Sequence, residues 1–141
     1  MSLVALTEAI ANQLQHLNSE IPELQVGSQM LFNPTPPAID LYPADPFQEQ
    51  SDFGPLFRTA LWTVRVRVST IDSDGGQTLL LGLLDPAAPS SVTAALTTDP
   101  TFAGACQTSS VEGPSGYIQY TDPVGQSQNL LGAEWRLHVT L

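Results

Sequence analysis

The longest regular pattern in the chain runs through Phe57–Thr70, FRTALWTVRVRVST. Ala60, Trp62, Val64, Val66 and Val68 alternate there with Thr59, Leu61, Thr63, Arg65, Arg67 and Ser69. A period of two, filled with β-branched and aromatic residues, predicts a strand with a Trp/Val face on a core and a Thr/Arg face turned outward. The C-terminal stretch Ala133–Leu141, AEWRLHVTL, has the same design: Trp135, Leu137, Val139 and Leu141 alternate with Glu134, Arg136, His138 and Thr140. Two strands so alike are natural neighbours in one antiparallel sheet.

The remaining pattern is more broken. Residues 2–18 place Leu3, Leu6, Ile10, Leu14 and Leu17 at helical spacing, with Ser2 as N-cap and Pro22 beyond the end. Leu24–Val26 and Ala38–Tyr42 read as short strands around the proline-rich connector Asn33–Pro37, the second stopping at Pro43. Pro43–Pro55 reads as a long loop carrying Asp45, Phe47, Glu49, Asp52 and Phe53. Asp72–Gly76 is expected to turn into a short buried helix, Gln77–Leu84, and Ser90 or Ser91 to cap a second, Val92–Leu96. Phe102–Val111 reads as a weak strand with Gly104 at a bulge, Glu112–Gly116 as a turn, and Tyr117–Tyr120 as a hairpin arm turning at Asp122–Gln126. This order predicts an α+β fold: a single domain over residues 1–141, mainly antiparallel, with an N-terminal helix and two short helices on one face.

Composition narrows the function. The 141 residues are 42% hydrophobic, enough for one core, and carry a formal charge of −10: 14 acids against four arginines, with no lysine. That balance argues against sequence-specific nucleic-acid binding and against an anionic membrane surface. Only 13% of residues are charged, so much of the surface is expected to meet other protein. Cys106 is the only cysteine, so no disulfide forms within the chain and a reducing compartment fits. The start MSLVALTEAI lacks a basic n-region and the longest apolar run, Leu79–Leu84, is too short to span a bilayer, so a cytosolic protein is expected.

Reactive constellations are sparse. His16 and His138 stand alone, no nucleophile elbow is present, and the acids follow no metal-loop spacing. Asp72–Gly76 reads as a turn and not a calcium loop. No catalytic residue, cofactor or metal is expected, and the protein is not read as an enzyme. The cationic face is the best-defined feature: Arg65 and Arg67 on one strand, Arg136 and His138 on the other. With helices on the Trp/Val face this one is left free. It is either solvated, with cross-strand pairs such as Arg–Glu134, or an interface on which arginines grip Asp or Glu of an adjacent copy. Asp45, Phe47, Glu49 and Asp52 form a second candidate contact; the alternative is that the loop folds back on the body.

Taken in order, LVALTEAIANQLQHL, AIDLYP, FRTALWTVRVRVST, DSDGGQTLLLGLLD, SSVTAAL, DPTFAGACQTSSV and LLGAEWRLHVTL give the chain a texture that resembles the tail terminator proteins of long-tailed bacteriophages. The resemblance spans nearly the whole chain and transfers no individual functional residue. It implies a structural virion protein of the tail or neck, assembled in the host cytoplasm. Such a protein forms a homo-oligomeric ring, commonly hexameric, on the finished tail tube, stops further polymerisation of tube protein and offers the surface that joins the head-completion or connector protein. In that setting the 43–55 loop becomes the tube-facing contact. The competing readings are a head-completion or neck connector protein, a small-molecule-binding or enzymatic α+β domain, and an acidic host-directed inhibitor.

Overall fold

A computed structural model describes residues 2–49, 59–71, 73–120 and 130–141. Phe53, Asp52 and the expected turn at Asp122–Gln126 lie outside the described residues.

The helical stripe folds as expected. α1 (Leu3–Leu14) starts where the Ser2 hydroxyl accepts the Ala5 N–H at 3.1 Å and buries Leu6, Ile10, Ala11 and Leu14. A 3₁₀ turn over Gln15–Ser19 continues it and buries Leu17. β1 (Gln25–Gly27) runs parallel to β2 (Ala38–Glu49), and β2 is antiparallel to β3 (Thr59–Ser69). α2 (Ser73–Leu84) and α3 (Val92–Thr97) follow, then β4 (Thr108–Tyr120) and β5 (Leu130–Thr140). The sheet order is β1-β2-β3-β5-β4, so the two alternating strands are central neighbours, with Val64 opposite Trp135 and Arg65 opposite Glu134. The architecture is α+β: a mainly antiparallel five-stranded sheet whose Trp/Val face carries all the helices. Trp62, Val64, Val66, Trp135 and Leu137 pack there with Ile10, Leu14, Leu80, Leu83 and Leu96 in one buried core.

Several expected boundaries move, each for a local reason. β2 does not stop at Pro43 but runs to Glu49, so the expected loop begins later. β1 covers β2 only over Ala38–Asp40, so from Leu41 onward β2 is an edge, where a residue without an N–H is tolerated. The ladder also loosens there: five steps from Pro43 to Gln48 face only two from Trp62 to Ala60. α2 begins at Ser73, so the glycines expected in a turn are helical; at Gly76 an added Cβ would strike the Ser69 carbonyl. Of the two candidate caps, Ser91 is used, accepting from Ala94 N–H at 3.1 Å.

Residues 101–107 form turns, and the strand starts only at Thr108. Asp99 shapes the turn: Oδ1 accepts the Thr101 N–H and hydroxyl, and Oδ2 accepts the Ala103 N–H. Phe102, Ala103 and Gly104 are all left-handed (φ 49, 59 and 83°), so Gly104 marks this turn, not a bulge, and the Phe102 side chain enters the core. Glu112–Gly116 is not a turn but the middle of β4, where two register breaks let the strand pass Pro114.

Candidate functional site

The outward face of the sheet is not the free surface that its alternation suggests. Asp40 and Arg67 are buried there, as are Ala38 and Leu61. Asp40 stands on β2 directly opposite Arg65. Arg65 grips it bidentately, Nε to Oδ1 at 3.0 Å and Nη2 to Oδ2 at 2.6 Å, and Arg67 Nη2 adds a third bond to Oδ2 at 3.1 Å. Oδ2 also accepts the Leu31 N–H at 2.8 Å, while Arg67 Nη2 donates to the Leu31 carbonyl at 2.8 Å. The segment 28–37 between β1 and β2 is thereby strapped onto this face through the backbone of Leu31.

Two tyrosines flank the pair. The Arg65 guanidinium lies 5.0 Å from the Tyr42 ring centre and 5.6 Å from that of Tyr120, contacts of the cation–π kind. The Tyr120 hydroxyl donates to Glu134 Oε2 at 2.7 Å. Two arginines thus sit with two carboxylates, Asp40 and Glu134, in a balanced cluster. Burial lowers the affinity of Arg65 for its proton, but the hydrogen bonds and charge of Asp40 outweigh it and leave the pKa raised. For Arg67 burial prevails over Asp40 and the pKa is lowered; its Nε is buried with no hydrogen-bond partner among the described residues. Tyr42 and Tyr120 are both raised, chiefly by burial, with Glu134 adding to each.

The expected contact residues therefore separate. Arg65 and Arg67 are spent inside the chain, on a carboxylate that the sequence reading did not single out. Arg136 is exposed, opposite Thr63 and Glu112. With Thr63, Glu112, Ser115 and Glu134 it lines a polar hollow of about 270 Å³. His138 Nε2 lies 3.1 Å from Glu112 Oε2. Asp45 is exposed, whereas Phe47 turns inward and meets Trp62 edge-on, ring centres 5.1 Å apart at 83°. Phe47 thus belongs to the core margin and not to an exposed aromatic loop. Glu49 closes β2 opposite Thr59, and Asp52 lies outside the described residues. Asp40 did leave a signal: in AIDLY it shares a face with Ala38 and Tyr42, and an aspartate in mid-strand among apolar residues demands a partner.

Cys106 is half-buried, its Sγ directed at the Pro100 and Thr108 carbonyls, and burial, with Asp99, pushes its thiol up, away from the nucleophilic thiolate. Among the described residues no three of His, Cys, Asp and Glu gather to hold a metal ion, and no helix is long and apolar enough to cross a membrane. Neither the models of known protein families nor the curated proteins match the chain.

Proposed function

We propose that this chain is a structural protein of a phage tail, a subunit of a ring that closes the finished tube and presents the surface joined by the head. The observation that carries this reading is the order of elements. The segments whose succession resembles tail terminators contribute α1, β2, β3, α2, α3 and β5 of one sheet with its helices on a single face. Polar side chains locked on one another, and a cysteine held as thiol, suit a protein that works by binding.

A closed ring needs two different surfaces on each subunit. With Arg65 and Arg67 held by Asp40, the subunit contact on the outward face falls to exposed Arg136 and the neighbouring His138. The test combines native mass and negative-stain images with addition of the protein to polymerising tube protein from the same source. The expected result is a discrete ring of roughly six subunits and tubes that stop growing once capped. Arg136→Gln is expected to weaken the ring while changing stability by no more than about 0.5 kcal/mol. Tubes that elongate unchecked with no protein on their ends would overturn the reading.

A further inference from the structure

A second surface lies at the sheet edge beside α1. Where β1 ends at Gly27, β2 continues as the edge strand, paired only with β3, and a groove of about 320 Å³ opens between residues 28–30, Leu41–Pro43 and the first turns of α1. Leu3, Val4 and Met30 line it while remaining 46, 60 and 39% exposed. Phe32, two residues past Met30, is 83% exposed. Gathered apolar side chains of this kind mark contact sites. The backbone leading into Phe32 is held in place. The neighbouring Leu31 is clamped at its N–H by Asp40 and at its carbonyl by Arg67. An exposed aromatic side chain on a backbone held in this way suits a binding anchor, since less backbone ordering is left to be lost on contact.

Charge selects the occupant. Glu8 stands on the groove and Asp45 is exposed two residues beyond Pro43, while among the described residues no arginine or histidine lines it. A second copy is poorly suited: two of its four arginines are held by Asp40, and Arg136 stands beside Glu112 and Glu134 in the polar hollow. The geometry points to a segment of a different protein that seats an apolar side chain in the groove, packs against Phe32, and sets Lys or Arg beside Glu8 and Asp45. This docking surface is separate from the Arg136 face and stands whether or not the chain caps a tail tube.

The test uses the full chain and three labelled synthetic peptides of equal length: one of leucine and arginine, one of serine and arginine, one of leucine and glutamate. Binding is read by fluorescence anisotropy and located by amide shifts in NMR spectra. The leucine–arginine peptide is expected to bind at least about tenfold more tightly than either other peptide, with shifts concentrated at Leu3–Glu8, 28–32 and Leu41–Pro43. Val4→Asp and Phe32→Ser, both at exposed positions, are each expected to weaken that peptide about tenfold without moving the unfolding midpoint. Equal binding by the serine–arginine peptide would reduce the effect to charge alone and overturn the inference. So would equal binding by the leucine–glutamate peptide, shifts centred on Arg136, or peptide-free self-association mapped to the groove, which would make the occupant a second copy.

Discussion

At the scale of single residues the molecule turns on Asp40. One carboxylate receives both arginines of β3 and the backbone of the strap, with no exposure to water. A buried ion pair adds little net stability over an apolar replacement, but removing one partner leaves charges stranded. Asp40→Ala should therefore cost about 3–5 kcal/mol in urea unfolding. Arg65→Glu with Arg67→Glu should abolish folding itself, since four carboxylates would then crowd together with no cation among them. The tyrosines give a second readout. Both folded-state values lie above the ordinary one, so their contribution is present in full below the unfolded tyrosine value, about 10, and is lost as pH climbs through the folded values. Alkaline titration should show phenolate absorbance from Tyr42 and Tyr120 only beyond the ordinary range, with stability falling from about pH 10 upward. A loss of stability that began near neutrality would contradict this. Arg65 and Arg67 were visible from the sequence as a pair, and their partner was not. Alternation reports which face a side chain takes, and says nothing about which neighbouring strand brings the opposite charge.

At the scale of elements, the two central strands and α1 were legible because the apolar side of each repeats at its own period and is buried, even though Leu61 and Arg67 on the outward side of β3 are buried too. Two of the misread stretches carry proline. Pro43 and Pro114 look like stops, yet both lie where a strand has a free edge or a loosened register, and there a strand can pass them. Gly132 shows a constraint that no period reveals. It pairs with Arg67 on β3 and Ile118 on β4, and an added Cβ would meet the Val66 carbonyl and the Tyr120 ring. Its missing side chain lets Tyr120 lie across β5 toward Arg65. Gly132→Ala should cost about 1–3 kcal/mol in thermal or urea unfolding. It should also shift the Tyr120 ring resonances, whereas alanine at Gly116, where an added Cβ meets nothing within 4 Å, should do neither.

At the scale of the whole molecule, fold class followed from the order of elements, while the surface needed coordinates. Only the structure shows that the arginine face is half consumed and that the apolar surface lies at the α1 edge. Net charge acts at this scale too. A compact body of −10 repels itself, and added salt relieves that strain while barely touching the buried Asp40 cluster. The unfolding midpoint should rise as sodium chloride goes from about 10 to about 150 mM, where the screening length shrinks from roughly 30 to 8 Å. A midpoint that fell would mean that attractive surface pairs outweigh the general repulsion.

The margins of the sheet carry one more meaning. On one side stands β1, only three residues long; on the other stands β4, broken twice in register and interrupted by Pro114. Beyond β1 the margin passes to β2, and its prolines and bulge, like the breaks in β4, interrupt the run of open N–H and C=O groups that a passing chain would need. Copies crowded together during assembly are thus denied the sideways zippering that leads to fibres, and can meet only through side chains, on terms that can be reversed until the right neighbours are found.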